Sequence, residues 1–229
     1  MHPAATASNE KELIMTRIVI VEDHPVFRAG LKELIETEKD LQVCGEADTI
    51  NKALVVIEEK QPDLVIIDIT LRGRNGIELI KELHRDSPHL SILVLSMHDE
   101  ALYAERAFRA GASGYIMKEE TSESIIKAIR MVHGGQKYAS KQFMANVLNK
   151  FLSHSPEDTR SPIDRLTHRE LDVFRLLGKG MTTKDIATHL DLSAKTIGTY
   201  RERIKVKLDL QNASDLMHSA VRWLEKGEL

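Results

Sequence analysis

The sequence has little of what would cross-link a chain or hold it in a membrane. It contains one cysteine in 229 residues, so no disulfide can form within the chain, which favours a reducing compartment. It has no run of about 18 apolar residues that could span a bilayer. Its start, MHPAATASNEKEL, lacks the basic-then-apolar order of a signal peptide. These absences predict a cytoplasmic protein without membrane contact.

The chain also lacks a strong overall charge, but its charges are unevenly distributed. The formal net charge is −3. From residue 161 to the end there are 12 Lys and Arg against 10 Asp and Glu, whereas the preceding part has 20 against 25. An acidic first part and a mildly basic last part indicate that the two parts have different partners.

Short apolar runs alternate with helical patterns through residues 16–135. The runs are, in order, RIVIVE, LQVCGEA, DLVIIDI, SILVLS and SGYIM, and each is followed by a segment with helical spacing. Continuously apolar strands need cover on both faces, which is typical of parallel sheets. The pattern therefore predicts an α/β fold with a five-stranded, doubly wound parallel sheet, whose site lies at the carboxyl ends of the strands.

The pattern changes on either side of this region. Residues 136–162 combine one helical stretch, KQFMANVLNKFL, with a segment rich in proline and polar residues, and predict a linker that contains a helix. Residues 163–229 show only helical patterns and predict a second, smaller all-α domain of four helices. Residues 1–15 have no strong periodicity and predict a disordered tail, in which Met15 is an alternative start.

Chemically distinctive side chains stand at the ends of four predicted strands. They are Glu22, Asp23, Asp68, Ser96 and Lys118. Because the carboxyl ends of parallel strands share one edge of a sheet, we expect these side chains to converge. Packed carboxylates repel each other and need a cation, and hard oxygen ligands suit Mg²⁺. An aspartate beside Mg²⁺ and a lysine can accept a phosphoryl group, because both cations neutralise charge on the phosphoryl oxygens.

Residues 16–135 resemble, over essentially their whole length, the flavodoxin-like receiver domain of two-component response regulators. The resemblance implies that Asp68 is phosphorylated by a sensor histidine kinase. It also implies a Mg²⁺ site, whose ligands are Glu22, Asp23, Asp68 and the backbone carbonyl of Thr70. Apart from Mg²⁺-dependent gain and loss of this phosphoryl group, the resemblance implies no enzymatic activity.

The same resemblance assigns further residues around the phosphoryl group. Ser96 and Lys118 would bind it, and Tyr115 would be the switch aromatic that repacks on phosphorylation. One position departs from the family pattern, since Arg72 stands where a proline often follows the phospho-acceptor by four residues.

His24 adjoins the acidic pair and has two interpretations. With Pro25 it favours the start of the first helix, because proline is well accommodated in a first helical turn. A ligand role for His24 is the weaker alternative, since imidazole prefers softer ions than Mg²⁺.

The segment 183–208 has the pattern of a helix-turn-helix. Ile186 and Ala187 would pack the first helix, and Ser193 can cap the second. Between residues 193 and 208 five basic residues accompany one acid, Glu202. A recognition helix reads bases near its N-terminus and contacts phosphates along its length, so this positive helix predicts DNA binding.

Residues 163–225 resemble the LuxR-type helix-turn-helix domain. The matching residues are Leu166, Thr167, Glu170, Ile186, Ala187, Leu190, Leu192, Ser193, Thr196, Ile197, Ile204, Lys207 and Leu208. A receiver followed by this domain resembles the NarL/FixJ class of response regulators. That class implies dimerisation on phosphorylation, binding to double-stranded promoter DNA, and RNA polymerase as a partner.

The DNA contacts are assigned by position along the second helix. Gly198 and Glu202 stand where other members can carry lysines, so base contacts are expected from Thr199, Tyr200 and Arg203. Phosphate contacts are expected from Lys184, Lys195, Thr196, Lys205 and Lys207.

Two other functions share parts of this pattern. A haloacid-dehalogenase-like phosphatase also forms an aspartyl phosphate, but it carries a second acid two residues beyond the nucleophile, where this chain has Thr70. A regulator that works without phosphorylation, or that binds RNA, would keep the fold. The presence of the acids, Ser96 and Lys118 together argues against a lost phosphorylation site.

Overall fold

The computed structural model describes residues 15–71, 74–97, 100–153 and 162–226. The described residues group into two compact units that divide between Asn149 and Lys150. Among them, no helix has both the length and the apolar character needed to cross a bilayer. The predicted tail, residues 1–15, lies outside the described residues except for Met15.

The first unit alternates strands and helices. Its strands are β1 (Thr16–Val21), β2 (Leu41–Ala47), β3 (Leu64–Ile67), β4 (Thr70–Leu71), β5 (Arg74–Asn75), β6 (Ser91–Ser96) and β7 (Gly114–Met117). Its helices are α1 (Pro25–Glu36), α2 (Ile50–Lys60), α3 (Gly76–Asp86), α4 (Glu100–Ala110) and α5 (Ser122–His133), and it includes α6 (Lys141–Ser153) as far as Asn149. Five strands form one parallel sheet in the order β2-β1-β3-β6-β7, which confirms the predicted fold class.

Both faces of this sheet are covered, which explains its continuously apolar strands. On one face Ile18, Ile66 and Leu93 pack with residues of α1 and α5, such as Ile35 and Ile129. The alternate residues of the same strands are buried as well, so that all of β3 is at most 1% exposed. Burial of each of these four apolar side chains stabilises the folded state by about 1.5–3 kcal/mol, before the loss of conformational entropy is subtracted. The period of two seen in half-exposed strands is therefore absent.

Backbone hydrogen bonds fix the carboxyl ends of the strands at a common level. The Asp68 N–H donates to the Val21 carbonyl at 2.9 Å, which ties the residue after β3 to the end of β1. The Lys118 N–H donates to the Ser96 carbonyl at 2.8 Å, which ties the residue after β7 to the end of β6. Side chains at these ends therefore meet at one edge.

A short antiparallel hairpin, β4–β5, follows β3 and was not predicted from the sequence. It returns the chain so that the Gly76 N–H donates to the Ile69 carbonyl at 2.9 Å. A Cβ added at Gly76 would lie 2.3 Å from the Asp68 carbonyl oxygen. Only glycine permits this approach of α3 to the backbone of Asp68.

The first unit continues past residue 135 into α6. The Tyr115 N–H of β7 donates to the Tyr138 carbonyl at 2.8 Å, and the Tyr138 N–H donates to the Ser113 carbonyl at 3.2 Å. Phe143 of α6 stacks on Phe108 of α4, with ring centroids 5.7 Å apart. Helix α6 occupies the helical stretch expected in 136–162, while the domain limits at 135 and 163 remain predictions.

The second unit is helical. After a short 3₁₀ turn (Pro162–Arg165) come α7 (His168–Gly178), α8 (Thr183–His189), α9 (Ala194–Lys207) and α10 (Ala213–Lys226). Helix α9 begins as predicted, because the Ser193 hydroxyl accepts from the Thr196 N–H at 3.0 Å. The helices share a core that includes Phe174, Ile197 and Trp223.

Two glycine variants test the packing around Asp68. We expect Gly76→Ala to destabilise the first unit by about 1–3 kcal/mol, because its methyl group overlaps the Asp68 backbone. Gly30→Ala is the matched control, since Gly30 lies in the exposed middle of α1 with nothing within 4 Å of an added Cβ. It should stabilise by up to about 1 kcal/mol through helix propensity. Urea unfolding measures both, and equal effects would contradict the proposed clash.

Candidate phosphorylation site and DNA interface

The sheet edge brings the predicted acids, serine and lysine into one place. Glu22, Asp68 and Ser96 are at most 4% exposed, although all three are polar. The Lys118 side chain, 5% exposed, reaches back from the end of β7 into the same crevice. Buried polar groups at four neighbouring strand ends indicate a site, because each costs free energy unless it finds a partner.

Lys118 is the centre of this cluster. Its Nζ donates to Glu22 Oε2 at 2.5 Å and to Asp68 Oδ2 at 2.9 Å. Nζ also lies 4.5 Å from the centroid of the Phe27 ring, on the face where a cation is attracted by the π-system. Phe27 was not predicted as a site residue, because from the sequence it is simply one member of the apolar face of α1.

Asp68 and Lys118 shift each other's pKa. Burial raises the pKa of Asp68 to about 6; the Lys118 ammonium opposes this rise and the Glu22 carboxylate adds to it. Burial alone would lower the pKa of Lys118, but the carboxylates of Asp68 and Glu22 outweigh it and raise that pKa. Lys118 is therefore charged, and its single positive charge faces more than one carboxylate.

The excess of negative charge fits a divalent cation. Glu22, Asp23, His24 and Asp68 each offer one ligand atom, and these atoms lie within 4.8 Å of one another. Carboxylate oxygens in this number suit a hard cation such as Mg²⁺. Thr70 lies beside them, with its N–H donating to Asp68 Oδ1 at 3.1 Å. The predicted use of its carbonyl as a ligand remains a prediction.

Two other predicted residues complete the surroundings of Asp68. Ser96 ends β6 and is fully buried. Tyr115, the predicted switch aromatic, is also fully buried within β7, two strands away from Asp68 in the sheet. Arg72, where the family often has proline, lies outside the described residues.

The candidate DNA interface is built on α8 and α9. Lys184, Lys195, Thr199 and Arg203 are exposed, whereas Thr196 and Tyr200 are half-buried. Arg201 Nη1 donates to Thr183 Oγ1 at 2.6 Å, which holds α9 against the start of α8. The described structure thus presents a cationic helix face with one of its arginines used internally.

The two lysines near the end of α9 have partners within the second unit. Lys205 Nζ lies 2.9 Å from Glu202 Oε2. Lys207 Nζ lies 2.6 Å from Glu170 Oε2, and the Glu170 side chain is 2% exposed. Burial would raise the pKa of Glu170, but Lys207 and Thr167 lower it, so Glu170 stays ionised.

Lys207 therefore stabilises the second unit by neutralising a buried carboxylate. Glu170 also closes a capping box, in which its Oε2 accepts from the Thr167 N–H at 2.7 Å. Sequence reasoning placed both residues in the LuxR-type pattern but did not pair them, because they stand 37 positions apart. The predicted phosphate contacts of Lys205 and Lys207 remain predictions.

Comparison with known families agrees with the two-unit structure. Residues 18–130 match the response regulator receiver domain. Residues 164–220 match the luxR family of bacterial regulatory proteins. Each match falls within one of the two compact units.

Whole proteins of the same organisation are similar over nearly their full length. The oxygen regulatory protein NreC of Staphylococcus haemolyticus is 32% identical over 210 residues, 90% of this chain and 97% of the relative. The response regulator GacA of Pseudomonas aeruginosa is 33% identical over 208 residues, 91% of this chain and 96% of the relative.

Solved structures are similar as well. RcsB of Salmonella enterica serovar Typhimurium, bound to a promoter in the presence of phosphomimetic BeF3−, has a TM-score of 0.56 and 26% identity, covering 90% of this chain and 98% of that chain. A LuxR-family response regulator from Aurantimonas has a TM-score of 0.57 and 32% identity, covering 61% of this chain and 99% of that chain. The chain therefore belongs to the two-component response regulators of the NarL/FixJ class, with a receiver domain followed by a LuxR-type DNA-binding domain.

Proposed function

We propose that this response regulator is phosphorylated on Asp68 by a sensor histidine kinase and then binds promoter DNA as a dimer to regulate transcription. The observation that carries the proposal is the buried Lys118 ammonium bridging Asp68 and Glu22 at the sheet edge. Such a bridge places a positive charge where a phosphoryl group would arrive. We place the protein in the cytoplasm, with RNA polymerase as a further partner.

The chemistry follows from the positions of these side chains. A carboxylate oxygen of Asp68 attacks phosphorus, and the bond from phosphorus to the kinase imidazole nitrogen breaks as the new O–P bond forms. Glu22, Asp23 and Asp68 would hold Mg²⁺, which would supply further positive charge against the phosphoryl oxygens. Lys118 exchanges its hydrogen bond to Asp68 for one to the phosphoryl group, and the Ser96 hydroxyl donates to another oxygen. The phosphoryl group carries a charge of about −1.5 to −2 where the Asp68 carboxylate carried −1, and this larger charge recruits both groups.

The site assignment predicts which variant loses phosphorylation. With acetyl phosphate and Mg²⁺, we expect wild type to gain one phosphoryl group and Asp68→Ala to gain none, because the variant lacks the proposed acceptor carboxylate. Asp86→Ala is the matched control, since Asp86 is exposed at the end of α3 and should label like wild type. Mass spectrometry of the intact chain reads the outcome, and equal labelling of wild type and Asp68→Ala would contradict the assignment.

Contacts within the first unit support a route from α4 to α6. The carboxylate of Glu100, at the start of α4, accepts from the Ser140 N–H at 2.7 Å, just before α6 begins. The Phe108–Phe143 stack joins the same two helices further along. Movement of α4 and β7 on phosphorylation would therefore reach α6, through which the chain leaves the receiver.

Glu100→Ala tests this route. We expect its Asp68 to be labelled normally. The gain in DNA affinity on phosphorylation should fall by roughly 5-fold, a factor at the lower end of the usual range for coupling between two sites. Glu105→Ala is the control, because Glu105 lies on the same helix and pairs with Arg109, one turn further along that helix, at 2.6 Å. Fluorescence anisotropy with promoter DNA gives both affinities, and an unchanged gain in Glu100→Ala would exclude the route.

The similar RcsB structure, bound to a promoter in the presence of a phosphomimetic, supports DNA binding by the second unit. We propose that exposed Lys195 and Lys184 contact phosphates, while Thr199, Tyr200 and Arg203 face the bases. Helix α9 contains one acid, Glu202, whose carboxylate forms an ion pair with Lys205. The face is therefore electrostatically suited to the DNA backbone.

Salt dependence distinguishes a DNA contact from general charge. Lys195→Ala should flatten the slope of log affinity against log salt by about 0.9, because one fewer counterion is released. Lys179→Ala removes the same charge from an exposed position after α7 and should leave the slope unchanged. Anisotropy titrations at several salt concentrations provide the slopes. Identical slopes for the two variants would remove Lys195 from the interface.

A further inference from the structure

One face of α9 points away from the core of the second unit and carries an acid. Ile197 and Ile204 are fully buried and mark the side of the helix that packs against the core. Four exposed residues lie on the opposite side and form one stripe, because they follow one another in steps of four, three and four residues. This outer stripe consists of Lys195, Thr199, Glu202 and Val206. Glu202 therefore lies within the surface that faces DNA in the proposed function.

A carboxylate at this position opposes the general attraction of α9 to DNA. The helix carries five basic residues, and Glu202 is its one acid. Its side chain is 72% exposed, so it is not withdrawn into the unit. Because DNA affinity depends on neutralising phosphates, an exposed acid on this face weakens binding to every sequence that offers it no hydrogen-bond donor.

The partner of Glu202 positions its carboxylate without using all of its acceptor sites. Lys205 Nζ lies 2.9 Å from Glu202 Oε2, and the Lys205 side chain is 20% exposed, so most of it is packed against the unit. Such pairs three residues apart are common on helix surfaces. A carboxylate has two oxygens with about four acceptor sites, so one ammonium leaves room for a further donor. Lys205 thus restrains the carboxylate and partly neutralises it.

The bases offer few donors to a carboxylate in the major groove. They are the N4 amino group of cytosine and the N6 amino group of adenine. In adenine the N7 acceptor lies beside N6 and would repel a carboxylate, whereas cytosine presents no acceptor of its own beside N4. Cytosine is therefore the base that an acid on this stripe would select.

We propose that Glu202 accepts a hydrogen bond from the N4 amino group of a cytosine in each half-site and thereby determines the base at that position. The inference rests on the proposed function, because it requires α9 to lie in the major groove of promoter DNA. The contact offsets the repulsion from phosphates where cytosine is present. At other bases the repulsion remains, so Glu202 discriminates largely by rejecting wrong sequences.

Selection from a random double-stranded DNA library tests this role, using the full chain treated with acetyl phosphate and Mg²⁺. Wild type should enrich cytosine at one position of each half-site. Glu202→Gln should change that preference to adenine, because an amide pairs with both N6 and N7. In Glu202→Ala the preference for cytosine should fall by about 5-fold or more. Glu225→Ala removes the same charge from an exposed position on α10 and should keep the wild-type preference.

Affinities for two matched duplexes separate base contact from simple repulsion. One carries the selected sequence, and the other has thymine in place of that cytosine. Compared with wild type, Glu202→Ala should bind the cytosine duplex more weakly and the thymine duplex more tightly in fluorescence anisotropy. Tighter binding of both duplexes, or an unchanged base preference in Glu202→Gln, would overturn the inference. If wild type still enriches a sequence in that case, the proposed function stands; if it enriches none, both proposals fail.

Discussion

The ion bridge of Lys118 to Asp68 and Glu22 is the interaction around which the receiver is arranged. A buried ammonium needs two partners to offset its lost hydration, and it finds them at 2.5 and 2.9 Å. Those distances require three strand ends at one level, which the backbone bonds between β1 and β3 and between β6 and β7 provide. The hairpin and Gly76 then fix the chain beyond Asp68.

In the second unit a lysine also neutralises a buried carboxylate, but the pair has a different role. Glu170 is buried at the start of α7, and Lys207 from the end of α9 neutralises it at 2.6 Å. In the receiver, the bridged carboxylate is the proposed phosphate acceptor, so the lysine must exchange partners. In the second unit nothing of that kind is required, and the pair holds α9 against α7. Lys118 must therefore be able to move, whereas Lys207 must stay in place.

Many features of the fold and of the candidate site could be predicted, because they depend on residues that are close together in the sequence. Strand β6 coincides with the apolar run SILVLS, since burial on both faces leaves a continuous apolar signature. Strand β2 likewise coincides with the segment LQVCGEA, although its Gln42 and Glu46 are exposed. The Ser193 cap is equally local, as its hydroxyl reaches an N–H three residues away. The acids, Ser96 and Lys118 were placed at one edge by topology alone, because parallel strands must end together.

The sequence by itself determined the order of the helices and strands, the reactive residues at the strand ends and the presence of two units. These features depend on hydrophobic periodicity and helix caps, which involve residues close together in the chain. Only the tertiary structure decided which distant side chains meet. Phe27 lies over Lys118, Lys207 pairs with Glu170, and the His24 ring turns to the acids instead of capping α1. These contacts depend on how helices pack against their neighbours, and a side chain's direction after packing leaves no local pattern in the sequence.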